Sequence, residues 1–468
     1  MIFVEFTSKF FQDKKPLLFI LLAALILRIY KIDQAFPFDF DQQIPAEAAY
    51  NFFINHKITL IGQELSFKGF FLGSLHNWIQ FIPYGICNLK PDCVPYFYIL
   101  IGIITIIILY LVVKKIFDTK TAIISSSIYA ISFSAISFER GVNSNYFLFL
   151  SSIGLLFCLY KYFSGENKFL IFGAFIAGLA VVNFNPVFIF SAMTFFLFAL
   201  MRSKRGVHVF IIAGFAFLIN YFPLVIFNFR HDNILWNNLL NFISQNTTKA
   251  DYFSRFIFLV KNVSIPFYSY YLFQSGGLVF SFISLIIIAF GIYLVVRSKN
   301  IFYLFLPIWV IVVILGFVFY KGWVPDYYFQ QALLPIIIFV SLVLRKNFVI
   351  FLLFTFVFLF MNIHRAINYN TVINYKIKKD AVNFIINDSK GETFNVYYQL
   401  PLAHSTGYSS LFKLFEKLPQ EGGKNLYIFE FKNSPDYLKY IYQKSFPKNK
   451  VEVGFDHFVK IVSVKNVN

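Results

Sequence analysis

The stretch LRIYKIDQAFPFDFDQQIPAEAAYNFF, residues 27–53, decides how this chain is read. A long apolar run ends at Arg28, Tyr30 and Lys31, and a Phe-rich segment follows. That segment carries two carboxylates, Asp39 and Asp41, at the point where a chain that has just crossed a membrane re-enters water. Upstream, residues 16–27 are apolar and no small-residue cleavage site follows, so the run is expected to remain as a membrane anchor rather than be removed as a signal peptide. Downstream, PAEAAYNFFINH has one apolar face with amphipathic residues at its edges, the pattern of a helix lying along a membrane surface.

The rest of the chain extends this reading. Of 468 residues, 58% are hydrophobic and 14% charged, against about 25% charged in ordinary globular domains; that excludes a soluble enzyme. Apolar stretches recur, each long enough to cross a roughly 30 Å hydrocarbon layer as a helix. Eleven spans are expected, near residues 16–31, 94–113, 121–138, 144–162, 169–184, 187–201, 208–228, 277–296, 301–319, 331–345 and 347–363. The fold class is therefore an α-helical polytopic membrane protein with a long first outer loop, about 32–93.

The net charge of +18 is spread as small clusters between apolar runs, with no basic domain or stripe, which argues against a nucleic-acid partner. The clusters mark every second connection: Lys9, Lys14 and Lys15; Lys114, Lys115 and Lys120; Lys161 and Lys168; Arg202, Lys204 and Arg205; Arg297 and Lys299; Arg345 and Lys346. By the positive-inside rule that side and the N-terminus are cytoplasmic, in a plasma (inner) membrane. The opposite side then holds the first loop, the ERGVNSN turn, the segment 230–276 and YKGWVPDYYF. Within 230–276, SRFIFLVKNVSIPFYSYYLF is expected to lie along the surface rather than cross it.

From about residue 366 to 468 the composition turns soluble. KKDAVNFIIND and SPDYLKYIYQKSF have helical periodicity; TFNVYYQL, NLYIFEF and VGFDHFVKIVSV read as strands of a small extracytoplasmic α/β domain following a transmembrane module over 1–365. Cys87 and Cys93 share one outer loop, in reach of pairing there. GxGxxG, Walker A and CxxC signatures are absent.

Several residues have chemistry to offer. If residues 39–41 are extended, Asp39 and Asp41 face one cavity. A carboxylate near hydrocarbon beside a like charge rises in pKa, which suits a general base. The same pair is an oxygen donor set for a divalent metal ion, or simply the solvated start of a loop. Glu47 is a third carboxylate for this site or a solvated face residue. Arg230, His231 and Lys321 stand where spans meet the outer surface, as ligands for a lipid phosphate or as interfacial anchors beside Trp323, Tyr327 and Tyr328. Arg140 either neutralises partners with Glu139 or lines the cavity. His76 is a lone imidazole, and His364 with Arg365 closes the last span. Asn246 in NTT fits a glycosylation sequon.

The order of these features resembles the GT-C superfamily of membrane glycosyltransferases, specifically the protein O-mannosyltransferase and lipid A aminoarabinose transferase group (glycosyltransferase family 39-like). The opening stretch occupies the place where that group has a first span ending in Arg and an acidic motif before an amphipathic helix. GFFLGSLHNWIQFIPYGI, then ISFERGVNSNYF, LINYFPLVIFNFRHD and DYYFQQALLPII, resemble the later elements. The resemblance implies a catalytic role for Asp41, with Gln42 where the family often has Glu and Asp39 as an extra acid. It implies donor-phosphate ligands at Arg230 and Lys321, and cavity wall at Tyr327 and Tyr328. The implied reaction is transfer of a sugar from a polyprenyl-phosphate donor to a hydroxyl of a glycolipid, polysaccharide or protein, with inversion. The rival readings are a transporter or flippase for lipid-linked sugars, which calls for intramembrane charges and broken helices in repeats, and a lipid-sugar ligase or polymerase of another membrane family, with its basic residues in the 230–276 loop.

Overall fold

A computed structural model describes residues 15–65, 68–201, 207–244, 251–320, 322–369, 374–400, 405–431, 451–456 and 459–465. Lys321, the Asn246 sequon and the helix expected over 434–446 lie outside the described residues. All eleven expected spans contain helix. Among the described residues, seven helices are long and apolar enough to cross a membrane, or eight when the pair Thr119–Ile131 and Phe133–Arg140, bent by 54°, counts as one. That test does not confirm eleven crossings. It leaves out Lys15–Ile29 and the shorter Lys168–Asn183, Pro186–Met201 and Phe305–Phe319, and it admits Tyr252–Phe273.

Hydrogen bonds tie both ends of Tyr252–Phe273 to neighbouring helices. At its start Arg255 donates to the carbonyls of Phe317, Tyr320 and Gly322, at the C-terminal end of helix Phe305–Phe319. At its other end, Asn362 donates to Leu272 O and Ser132 to Tyr271 O, both 2.8–2.9 Å. Asn362 belongs to the C-terminal half of Phe348–Asn368, and Ser132 stands at the bend of Thr119–Arg140. By length and composition the segment counts as a candidate span, which the expectation of a surface helix did not include. Arg255 closes helix Phe305–Phe319 by satisfying carbonyls that have no helical donor.

The clustered cations collect at the opposite end. Tyr303 Oη donates to Ile116 O (3.1 Å), and Arg345 pairs with Asp118 and reaches Thr121 Oγ1. Arg297, Arg345 and Lys346 thus share one end of the bundle with the connection between the second and third spans.

A buried ion pair ties the first span to the third. Arg28 Nε and Nη2 donate to Glu139 at 2.5 and 2.9 Å, and Nη1 donates to Ala130 O (2.6 Å). Glu139 thus neutralises Arg28 rather than its neighbour Arg140. Gly102 of helix Val94–Ile116 makes room for the pair, since a Cβ there would stand 2.1 Å from Glu139 Oε2. Gly102→Ala is expected to destabilise the protein by about 1–3 kcal/mol, and Glu139→Ala, which leaves Arg28 buried and unpaired, by about 3–5 kcal/mol. Thermal unfolding of both variants in detergent checks the order.

In the first loop, helix Phe40–Phe53 precedes a two-stranded antiparallel hairpin, β1 (Ile61–Glu64) with β2 (Phe71–Gly73), and helix Leu75–Ile86. Cys87 and Cys93 are joined as a disulfide. The C-terminal domain has a four-stranded sheet: β3 (Phe394–Gln399) parallel to β4 (Asn425–Phe431), then β6 (Val459–Lys465) and β5 (Val451–Asp456), both antiparallel neighbours. The single strand expected over 453–464 is therefore two strands of an antiparallel pair, β5 and β6. Helices Tyr375–Asp388 and Tyr408–Leu414 hold this domain on the first loop. Lys379 pairs with Asp92 (2.7 Å), Tyr375 Oη donates to Asp92 (2.9 Å), and Tyr375 N donates to Phe36 O (2.9 Å). Gly407, at φ 90°, abuts Phe38 so closely that a Cβ would lie 2.1 Å from Phe38 O. Gly407→Ala is expected to loosen this docking, read as faster hydrogen exchange over residues 375–388.

Candidate active site

Asp41 lies where the first loop, the turn after the third span and the end of the last span converge. The expected extended segment over residues 39–41 is instead a helix start: Asp39 is the extended N-cap (φ −107°) of Phe40–Phe53, and Asp41 sits in its first turn. Both acids still line one cavity of about 420 Å3, with Phe138, Gly141, Asn143 and Tyr369 among its walls. That volume is in the range of small-molecule sites.

Two amides orient the Asp41 carboxylate. Gln63 Nε2, on β1, donates to Oδ1 (2.6 Å), and Asn143 Nδ2 donates to Oδ2 (3.2 Å). Asn143 is itself held by Asn145, whose backbone N–H and side-chain amide both donate to Asn143 Oδ1 (2.9 and 2.8 Å). Burial raises the Asp41 pKa above the ordinary carboxylate value; the Gln63 hydrogen bond opposes the rise and the charge of Asp39 adds to it. If a rate depends on ionised Asp41, its acidic limb sits above the ordinary carboxylate range. Asp39→Asn removes the like charge and is expected to move the limb to lower pH. Gln63→Ala removes a bond to the ionised form and moves it to higher pH. Rate against pH for the two variants checks both signs.

Gln42 holds the helix start in place. Its Oε1 accepts from Asp39 N (3.0 Å), and its Nε2 donates to Gly141 O (2.5 Å). An ionised Glu in that position has no N–H to give Gly141, so the departure from the expected family pattern joins the first loop to the turn after the third span.

Asp39 has a partner that the sequence reading missed. Lys378, fully buried on helix Tyr375–Asp388, pairs with Asp39 and donates to Phe38 O (2.8 Å) and Thr406 O (2.9 Å), which uses all three ammonium N–H groups. Burial lowers the Lys378 pKa and Asp39 opposes the fall. Both carboxylates are engaged within the protein: Asp39 carries an ammonium, and each Asp41 oxygen accepts an amide N–H. Among the described residues no group of three or more His, Cys, Asp or Glu side chains is placed to hold a metal ion.

The other expected site residues are scattered. Glu47 accepts from Gln43 (2.8 Å) and from Ser410 of the C-terminal domain (2.7 Å), so it joins the two parts. His76 is buried, outside the lining of the Asp41 cavity, and hydrogen-bonded to Tyr98 Oη (2.6 Å) and Gln80 (3.2 Å); burial lowers its pKa to about 4. Arg140 donates to the carbonyls of Leu27, Arg28 and Tyr30, closing the first span instead of lining the cavity. Arg230 is exposed at the end of Phe222–Arg230, and His231 stacks on Phe227 (4.1 Å), which in turn meets Phe71 of the hairpin. Tyr327 is within reach of the Asp41 charge and packs edge-on against Tyr328 (5.1 Å), which stacks on Phe317. Arg365, expected as a boundary residue, lies over the rings of Tyr369 (5.6 Å) and Phe133 (5.8 Å), beside the cavity.

A helical bundle with an acid oriented at the start of its first loop, and a small domain docked over that loop, defines the class: a multi-pass helical membrane protein whose fold is shared with the solved structures that follow. More particularly, the structure is similar over 96% of the chain to 98% of ArnT from Cupriavidus metallidurans bound to undecaprenyl phosphate, with a TM-score of 0.63 at 11% identity. It is also similar over 86% of the chain to 62% of the Archaeoglobus fulgidus oligosaccharyltransferase in complex with Zn and sulfate, at a TM-score of 0.53 and 13% identity. Residues 74–227 match the family model of dolichyl-phosphate-mannose-protein mannosyltransferases. An uncharacterized protein of Aquifex aeolicus is 30% identical over 161 residues, a match that spans 31% of this chain and 32% of that relative.

Proposed function

We propose that this protein transfers a sugar from a polyprenyl-phosphate-linked donor to an acceptor hydroxyl at the extracytoplasmic face of the plasma membrane, with inversion and with Asp41 as general base. The observation that carries the reading is the Asp41 carboxylate: partly withdrawn from water, raised in proton affinity, oriented by two amides and open to a cavity at the end of an apolar bundle. The fold shared with an undecaprenyl-phosphate-bound protein supports the donor class. In the proposed step the acceptor oxygen attacks the anomeric carbon and its proton passes to Asp41. The bond from that carbon to the phosphate oxygen breaks, and polyprenyl phosphate leaves with the electron pair. The growing phosphate charge calls for a nearby cation. Arg365, beside Tyr369, is a proposed source of that charge, with Arg230 and Lys321 as further donor ligands.

The test incubates the purified protein with a panel of polyprenyl-phosphate sugars and candidate glycolipid, polysaccharide and peptide acceptors, and measures release of free polyprenyl phosphate. Acceptor-dependent release from one donor is expected, at the same rate with and without a chelator. Binding of the donors with no release from any of them would favour a transporter instead.

A further inference from the structure

At the end of the bundle opposite Asp41, a second cavity of about 490 Å3 opens between the connection joining the second and third spans and the ends of helices Leu278–Arg297 and Leu333–Leu344. Its polar wall holds Arg297, Arg345, Lys346 and one acid, Asp118; Leu294 and Leu342 form apolar wall. Asp118 is already engaged: it accepts from Thr121 N and Thr121 Oγ1 (both 2.9 Å), capping the helix that follows, and it pairs with Arg345. Arg297 and Lys346 have no carboxylate partner among the described residues, and the one bond recorded for Arg297 is a long one (3.4 Å) to Tyr293 Oη. Two exposed cations are thus left over at the mouth of a cleft between helices whose inner wall is hydrocarbon.

We infer that this cavity binds an anionic phospholipid of the adjacent leaflet, its phosphate between Arg297 and Lys346 and its first acyl carbons against Leu294 and Leu342. Cations that only set topology need no concavity. Here they rim a cleft between helix ends, and basic clefts between helices bind phosphate headgroups. The inference does not depend on the sugar-transfer reading, because the two cavities lie at opposite ends and share no residue.

The test uses the full chain in neutral detergent. Retention of phosphatidylglycerol, phosphatidylcholine or inorganic phosphate is read by native mass spectrometry, and the thermal midpoint is read with each. Wild type is expected to retain and be stabilised by phosphatidylglycerol alone. The double variant Arg297→Gln, Lys346→Gln is expected to bind it at least about tenfold more weakly, from roughly 1 kcal/mol per basic residue near an anionic surface. Both side chains are exposed, so without lipid the variant should melt as wild type does; Asp41→Asn should bind the lipid normally. Equal binding of phosphatidylcholine, equal binding by the double variant, or equal stabilisation by inorganic phosphate would each overturn the assignment.

Discussion

Asp41→Asn is expected to lower the turnover of sugar transfer by about 10²–10⁴-fold, the usual contribution of a positioned general base, while leaving the KM for the donor near its wild-type value. The substitution keeps the size of the side chain but removes the atom that takes the proton. It also brings an N–H group towards Gln63 or Asn143, both donors to the present carboxylate. The loss should fall on kcat, because the missing interaction forms only as the acceptor proton moves. Steady-state release of polyprenyl phosphate at saturating donor measures it. An equal rise in KM with unchanged kcat would instead make Asp41 a binding residue.

Lys378→Met is the second large expected effect, and it arises in a helix, Tyr375–Asp388, that contributes no residue to the walls of the Asp41 cavity. The variant leaves Phe38 O and Thr406 O without their donor and Asp39 without its cation. Each buried group left unsatisfied costs about 1–3 kcal/mol, enough to loosen the helix start that carries Asp41 and to reduce transfer on the order of tenfold to a hundredfold. Two further readouts identify the cause. Hydrogen exchange should rise together over residues 40–53 and 375–388, because Lys378 joins them. The acidic limb of the rate profile should move to higher pH, because an uncompensated Asp39 disfavours ionised Asp41 further. A rate loss without the pH shift would reduce Lys378 to a structural anchor.

Much of the fold could be read from the sequence, since its information is local. Apolar runs, the alternation of basic connections and the change in composition near residue 366 each show in a short window, and the corresponding segments are helices, one cationic end and a separate α/β domain. The count of crossings was not readable, because spans such as Lys168–Asn183 are short and Tyr252–Phe273, expected along the surface, is long and apolar enough to count as a span. Within the site, the two acids stood out by their position after the first apolar run. Their partners did not, because Gln63, Asn143 and Lys378 reach them across 22, 102 and 339 residues. Nothing local distinguishes Lys378 from Lys376 or Lys379 in the same helix. The extended reading of residues 39–41 failed for a local reason: Asp followed three residues later by Gln is also a helix-start pattern, and here Gln42 bonds back to Asp39 N. Arg140 and His76 are drawn into packing by carbonyls and a tyrosine distant in the chain.

The central claim is that Asp41 takes the acceptor's proton. Its most direct test is the single-turnover rate of polyprenyl phosphate release, measured against pH for wild type and Asp41→Asn with a donor that wild type accepts. The wild-type rate is expected to fall as pH drops through the raised Asp41 pKa, and the variant is expected to be slow, with a rate that no longer follows that limb. A variant that keeps both the wild-type rate and the same acidic limb would contradict it.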